Sequence, residues 1–339
     1  MSKSYRVAIA GATGAVGQAM LEILEQRQFP VERLHLLASE RSEGKRLNFQ
    51  GKNIAVERLD HFDFSQVEIG LFSAGGALSA EFAPIAAATG CVVIDNTSHF
   101  RYEPDIPLIV PEVNAHRLPE FRQRNIIANP NCSTIQLMLA LAPIHQRVRI
   151  QRINVATYQA VSGAGTSAIE ELAGQTAALL NSKPMEVQAL PRQIAFNVVP
   201  QIDAFQDNGY TKEEMKMVWE TRKILEDEEI AVNPTCVRVP VFYGHSEAVH
   251  LELEEAVSAE QAAEWLSAAA GVSVSTDGAD YPTAVEHGAQ SDAVFVGRIR
   301  QDISHPAGLN LWVVADNVRK GAALNSIQIA ESLIEGKLI

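Results

Sequence analysis

Arg6-Val7-Ala8-Ile9-Ala10 is an apolar run that reads as a buried strand, and it enters Gly11-Ala12-Thr13-Gly14-Ala15-Val16-Gly17 without a break. Ala19, Met20, Leu21, Ile23 and Leu24 then recur at helical spacing. Strand, glycine-rich turn and helix in that order constrain the chain more than any other feature. The glycines permit a tight turn and close backbone approach, and the helix start presents N–H donors suited to a pyrophosphate. The competing reading is a plain turn of small residues, which this placement disfavours. Arg33 to Leu37 follows as a second strand, Ile69 to Phe72 as another, with a helix through Phe82 to Ala88. Cys91 to Asp95 adds a strand with Cys91 in the core, and Leu108-Ile109-Val110 a shorter one. Strands alternating with helices predict a Rossmann-type, doubly wound parallel sheet.

The rhythm changes near Arg147. Arg149 to Tyr158, Val237 to Val241, Ala248 to Leu253 and Val294 to Ile299 are longer alternating runs that read as antiparallel strands, and Leu309 to Val314 reads as a further strand. The polar stretch Gln201 to Glu229 contains a helix rich in Glu and Lys, and Gly321 to Ile334 has helical periodicity. If that last helix packs back on the first domain, the second is an insertion. The expectation is an α/β chain with a nucleotide domain over 1–132, completed by 318–339, and an α+β substrate and dimerisation domain over 133–317.

The loop after the second strand bears on the cofactor. An acid at that strand end suits the ribose 2′-OH of NAD. Here the chain reads Ala38-Ser39-Glu40-Arg41-Ser42-Glu43-Gly44-Lys45. Ser39, Arg41 and Ser42 suit a 2′-phosphate, which favours NADP; Glu40 argues the other way.

A length of 339 residues favours two domains, and no apolar run approaches the ~20 residues of a membrane span. Met1-Ser2-Lys3-Ser4-Tyr5 leads straight into the first strand, so no signal peptide is expected. Three scattered cysteines, without a CxxC pair for a metal, fit a reducing cytoplasm. A net charge of -13 disfavours nucleic acid and anionic membranes as partners, so an anionic substrate must be met by a few local cations.

Cys132 lies in Asn129-Pro130-Asn131-Cys132-Ser133-Thr134, between the strand-like Ile126-Ile127-Ala128 and a helical pattern from Ile135 to Ile144. Pro130 biases Asn129 away from helical dihedrals and sharpens the turn. A thiol on the first turn of a helix meets unpaired N–H groups and the positive end of the dipole, which favour the thiolate. A small buried hydrophobe fits the same placement, and placement alone leaves both readings open.

GATGAVG, NTSHFR, PEVN, NPNCST, YQAVSGAG, KEEMK, RVPVFYGHSE and ADNVRKGAA occur in that order along essentially the whole chain. Together they resemble aspartate-β-semialdehyde dehydrogenase in its bacterial form. The resemblance implies that Cys132 is the acyl-forming nucleophile and His245 the acid/base. Gln159 would orient the substrate, Arg238 bind its carboxylate and Glu213 its amino group. Arg101 and Lys216 would hold phosphate. Gly11, Thr13, Gly14, Ala15, Val16, Arg41, Ser42, Ser162, Gly163 and Asn317 would line the NADP site. A homodimer is implied, and Lys183 to Gly209 is the expected interface.

The residues fit these roles chemically. A carboxylate is matched by a guanidinium fork, and Glu213 and Lys216, three apart, can face one site from one helix. Taken singly, His245 reads as a loop histidine and Glu213 and Lys216 as a solvated helix face. Arg101 beside Tyr102 reads as a surface cation. Many relatives have Ser-Ser-Ala where this chain has Thr97-Ser98-His99, a change beside Arg101. The rivals are another acyl-phosphate reductase, such as N-acetyl-γ-glutamyl-phosphate reductase or glyceraldehyde-3-phosphate dehydrogenase, a silent dinucleotide-binding paralogue, and a structural oligomerisation protein. Neither reductase calls for an acid like Glu213, a silent paralogue would lack the cysteine or the histidine, and a structural protein leaves the glycine turn unexplained.

Overall fold

The computed structural model describes residues 3–339. The reading of the first two residues as a lead-in to the first strand lies outside them. The chain forms two compact units, one running to Asn131 and taking in Ala322–Ile339, the other Cys132–Gly321.

The first unit holds β1 (Tyr5–Ala10), α1 (Ala15–Gln26), β2 (Val31–Ala38), β3 (Arg46–Phe49), β4 (Lys52–Arg58), β5 (Ile69–Phe72), α2 (Gly76–Ala88), β6 (Val92–Asp95), α3 (Pro111–Asn114) and β7 (Ile126–Ala128). Its sheet has the order β3-β4-β2-β1-β5-β6-β7, parallel throughout except for the β3–β4 hairpin. Strands β5, β6 and β7 are buried at every position, which is why they read as unbroken apolar runs. The order reverses between β1 and β5, and the glycine turn emerges from β1 at that switch point. Gly11 has φ 90°, and a Cβ there would lie 2.4 Å from the Ser73 carbonyl oxygen, so the turns after β1 and β5 meet backbone to backbone.

Two local readings need correction. Leu108-Ile109-Val110 is not a strand: only Leu108 forms a bridge, to Ala128, and Pro107 and Pro111 bracket the segment. The β3–β4 hairpin was not anticipated, because its strands are largely exposed and polar. Its turn, Gln50-Gly51, has φ 50° and 73°, the both-positive geometry of a tight hairpin, without the usual Asn-Gly or Asp-Gly signature.

The second unit holds α4 (Cys132–His145), β8 (Ile150–Gln159), α5 (Thr166–Leu180), α6 (Lys212–Leu225), β9 (Ala231–Arg238), β10 (His245–Leu253), α7 (Ala259–Ser267), β11 (Val272–Val274), β12 (Val294–Gln301) and β13 (Gly308–Ala315). The final helix, α8 (Leu324–Glu335), packs against α1 in the first unit. The six-stranded sheet has the order β11-β12-β13-β10-β8-β9 and is antiparallel except for β8–β9 and β11–β12. Val237 to Val241 shifts: the strand is Ala231–Arg238, and Pro234 inside it disguised the pattern. Helices α4, α6 and α7 pack on this sheet. Along β10, positions 245, 247, 249, 251 and 253 are buried and 248, 250 and 252 only partly so, the alternation of a sheet covered on one face.

Candidate active site

The register of the second sheet assembles the site. Gln159 pairs with Arg238, and His245 pairs with Ala315. Gln159 follows Tyr158, whose partner on β10 is Ser246, so His245 lies across from Gln159. Arg238, Gln159 and His245 thus form one cross-strand row, with side chains about 5 Å apart. All three are buried, at 5%, 1% and 0% exposure. Their segments are far apart in sequence, and only strand pairing brings them together.

Cys132 opens α4, the helix that packs on this sheet. It is near enough to Arg238 for the two to interact electrostatically. Burial pulls the Arg238 pKa down, while Glu213 and Cys132 act the other way; a guanidinium keeps its charge here. The site therefore sets a cation and a helix start around the thiol. Gly321 presses on it from another side, where a Cβ would stand 2.8 Å from that of Cys132.

The Ala160 N–H donates to His245 Nδ1 at 3.1 Å, which leaves the ring proton on Nε2. Burial, reinforced by the Arg238 charge, lowers the His245 pKa from 6.5 to about 3, so the ring is neutral at physiological pH. Nε2 makes no hydrogen bond among the described residues. Gly163 lies against it: an added Cβ would sit 3.0 Å from Arg238 Nη1 and 3.3 Å from His245 Nε2. Arg238 Nη1 donates to the Ala160 carbonyl at 2.7 Å, so one backbone residue fixes both side chains.

Helix α6 begins with a capping box, Thr211 with Glu214, and Glu214 also accepts the Cys236 N–H at 3.0 Å. That anchor turns the next residue back, Glu213, into the site. Glu213 accepts from Gln159 Nε2 at 3.2 Å and from Lys216 Nζ at 2.9 Å. It is 4% exposed, not part of a solvated helix face. Lys216 also donates to Asp203 at 3.0 Å. Burial works against its charge, but the two carboxylates prevail and raise its pKa.

Ser162 and Asn317 hydrogen-bond to each other at 3.1 and 2.9 Å, and Asn317 Oδ1 also accepts the Gly244 N–H at 3.0 Å. They tie the turn after β8 to the segment leading into His245. Their direct partners are each other and the chain.

The remaining candidates lie in the first unit. In the glycine turn, Gly11 and Gly17 are filled by backbone: a Cβ on Gly17 would lie 2.3 Å from the Gly11 carbonyl oxygen. Gly14 is different, since its nearest neighbour would be 3.4 Å away. No described residue comes closer to that space, which suits close approach of a phosphate at the α1 start, around Thr13, Ala15 and Val16. Thr13 and Ser42 hydroxyls meet at 3.4 Å, and Arg41 is exposed in the same turn. Glu40, the acid that argued for NAD, forms an ion pair with Arg58 at 3.2 Å. These residues fit a 2′-phosphorylated dinucleotide.

Arg101 is buried at 6% exposure, not a surface cation, and donates to the Asn96 carbonyl at 2.8 Å. Thr97 is absorbed by Asp95, which accepts both its N–H and its hydroxyl, while His99 rests edge-on against Phe100. Thr97 and His99 thus contact Asp95 and Phe100, while Arg101 holds the Asn96 carbonyl.

Residues 6–121 match the family described as semialdehyde dehydrogenase, NAD binding domain, and residues 141–320 match semialdehyde dehydrogenase, dimerisation domain. A Vibrio cholerae protein named aspartate-semialdehyde dehydrogenase 2 is 64% identical over 334 residues, covering 98% of this chain and 99% of that one. The chain belongs to the aspartate-semialdehyde dehydrogenases. The crystal structure of aspartate semialdehyde dehydrogenase II from Vibrio cholerae, complexed with ASA, superposes with TM-score 0.97 at 63% identity, over 98% of this chain and 99% of that one. The Candida albicans aspartate semialdehyde dehydrogenase with NADP gives TM-score 0.79 at 26% identity, over 99% and 100%. Like the family, the chain is an NADP-dependent oxidoreductase with a Rossmann-type nucleotide fold.

For an aspartate-semialdehyde dehydrogenase, three features of this site escaped the sequence reading. Ala160 acts through its backbone, so no side chain advertised it. Asp203 lies outside any periodic element, with φ 69°. Glu247 follows His245 by two on a strand, a spacing that places both on one face once the strand is known to start at His245.

Proposed function

We propose that the chain reduces L-aspartyl-β-phosphate to L-aspartate-β-semialdehyde and phosphate, with Cys132 carrying the acyl group as a thioester. The Arg238–Gln159–His245 row beside Cys132 is the observation that carries this reading. The Cys132 thiolate attacks the acyl carbon, an S–C bond forms, and the C–O bond to phosphate breaks. NADPH, when bound at the glycine turn with Arg41 and Ser42 at its 2′-phosphate, supplies the hydride. His245 Nε2–H, on a ring that is already neutral, donates a hydrogen bond to the oxyanion of the Cys132 adduct and holds it until the C–S bond breaks and the thiolate leaves. The Cys132 N–H at the helix start helps hold that oxyanion. Arg238 grips the α-carboxylate, Glu213 the amino group and Gln159 orients both. Lys216 and Arg101 receive the phosphate; Asp203 competes for Lys216 until phosphate displaces it.

The same reading makes the stretch to Asn131 with α8 the nucleotide domain and the rest the catalytic and dimerisation domain. The partner is a second copy of the chain. Tyr158, Ala248 and Trp312, on the sheet face opposite the catalytic row, line an apolar groove of about 840 Å³ with Tyr281 and Val285. An apolar face of this kind calls for a partner, and the exposed Phe196, Val198 and Phe205 in the 183–209 excursion add apolar surface of their own. No described helix is long and apolar enough to cross a membrane. A cytoplasmic enzyme of lysine, diaminopimelate, methionine and threonine synthesis fits the scattered thiols and the small polar substrate.

The test is turnover of purified protein with aspartate semialdehyde, phosphate and NADP, read as NADPH absorbance. Reduction of NADP dependent on both co-substrates supports the reading. Turnover with N-acetylglutamate semialdehyde or glyceraldehyde 3-phosphate instead transfers the chain to a sister chemistry.

A further inference from the structure

Behind the catalytic row lies a second one that the mechanism does not use. Glu247 pairs with Thr157 on β8 and Val313 on β13, and Thr157 pairs with Cys236 on β9. Glu247 is 0% exposed, and neither carboxylate oxygen has a hydrogen bond among the described residues. Facing it from α4 is Gln136, 1% exposed, whose amide nitrogen and oxygen are likewise without partners. The amide is near enough to bias the carboxyl toward its charged form, but no hydrogen bond closes between them.

The spacing relates this pair to the reacting one. Glu247 is two residues beyond His245 on a strand, about 6.6 Å, and Gln136 is four beyond Cys132 on a helix, about 6 Å. Glu247 and Gln136 thus lie one step beyond His245 and Cys132 on the same strand and the same helix. The groups around Glu247 are His245 on its own strand, Thr157 and Cys236 on the neighbouring strands, and Glu213 and Glu214, which act with Glu247 on Cys236 from α6. No cation among the described residues acts on Glu247 itself; burial dominates and pushes its pKa well above the ordinary glutamate value. A protonated carboxyl has a donor to offer and a primary amide has an oxygen to accept it.

We propose that Glu247, as a neutral carboxylic acid, donates to the Gln136 side chain, and that this pair is a positioning device that sets Cys132 against His245. A charged Glu247 would leave a buried, uncompensated carboxylate two residues from His245 on the same strand face, which the neutral form avoids. An apolar pair of similar size would hold the core together equally well, which points to geometry as the reason for polar groups here. The inference rests on Cys132 and His245 being the reacting pair.

The test compares Glu247→Gln, Glu247→Leu and Gln136→Leu in the full-length protein. Each is measured for kcat and KM with aspartate semialdehyde, and for the pH dependence of iodoacetamide alkylation at Cys132. Glu247→Gln keeps a neutral donor and is expected to stay within about threefold of the wild-type kcat, with an unchanged alkylation profile. Either leucine variant is expected to lose about 10²-fold in kcat with KM little altered, the cost of misplacing a reacting group by about 1 Å. The alkylation profile shifts with it, a signature that lost stability alone does not give. Gln136→Leu decides the matter if Glu247→Leu does not fold. Full kcat in a folded leucine variant overturns the proposal. So does a Glu247→Gln variant as impaired as Glu247→Leu, which would make Glu247 a proton carrier. Failure of the wild type to oxidise the semialdehyde overturns instead the assignment on which the proposal rests.

Discussion

The glycine turn of the first unit and the cross-strand row of the second are built in opposite ways. The turn is local and uses backbone: Gly11 and Gly17 are glycines because backbone fills the space a side chain would need. The row is non-local and uses side chains, with Arg238, Gln159 and His245 on three strands aligned only by register. In the turn, a substitution is costly where the chain touches itself and informative where it does not. In the row, the sensitive positions also include residues without side chains that press on the functional groups.

Gly163 and Gly14 test that contrast with the same substitution. Gly163→Ala would put a methyl 3.3 Å from His245 Nε2 and 3.0 Å from Arg238 Nη1, and is expected to lower kcat/KM by about 10²-fold with NADP affinity little changed. Gly14→Ala meets nothing closer than 3.4 Å among the described residues, so it should fold with normal Tm and lose NADP affinity instead. Calorimetric NADP binding alongside steady-state kinetics separates the two. Matching defects would dissolve the distinction between backbone and side-chain sites.

Arg41→Ala sharpens the nucleotide half. With Glu40 engaged by Arg58, Arg41 is the first cation after the end of β2, and one charge-assisted contact is worth about 1.5–3 kcal/mol. NADP should bind roughly tenfold to hundredfold more weakly, and NAD much less so. Equal losses for both cofactors would make Arg41 a bystander.

The parts legible in the sequence followed the same division. Strand–glycine–helix is written in consecutive residues, so the parallel sheet could be read directly from Arg6 to Leu24. The second sheet was legible as alternating runs, but Pro234 concealed most of β9 and the parallel pairing of β8 with β9 leaves no local trace. Taken singly His245 reads as a loop residue because a lone histidine carries little signal, yet it is the first residue of β10. Its partners, and the burial that keeps it neutral, exist only after the sheet forms. The motif resemblance supplied roles that spacing alone could not, and it pointed to no role for Glu247 or Asp203.

The acid side of the pH profile is a smaller test. His245 stays neutral down to about 3, so kcat/KM, which reports the free enzyme, should show no inflection near 6.5 from this residue. Stability follows the same displacement. A histidine whose folded pKa lies below its unfolded value of 6.5 contributes fully above 6.5, and the contribution drains as pH falls toward about 3. A kcat/KM inflection near 6.5 that disappears in His245→Gln would show a solvated, titrating ring.

The smallest expected effect concerns Lys216. Asp203 and Glu213 share its ammonium, at 3.0 and 2.9 Å, and Asp203 is the partner that phosphate must displace. Asp203→Asn should therefore lower the phosphate KM a few-fold, on the order of a surface ion pair, while leaving the semialdehyde KM unchanged. A raised phosphate KM would mean that Asp203 positions Lys216 rather than competing for it.

The most direct measurement is a rapid-mixing experiment with aspartate semialdehyde and NADP in the absence of phosphate. With Cys132 as the acyl carrier, NADPH should form in a burst of about one equivalent per active site and then stall, with the aspartyl group recovered as a thioester on the Cys132 peptide. Cys132→Ser should bind NADP normally and give no burst, and added phosphate should release the stalled wild-type enzyme. A wild-type enzyme that shows no burst, or a Cys132→Ser variant that shows one, would contradict the assignment of Cys132 as the residue that carries the substrate.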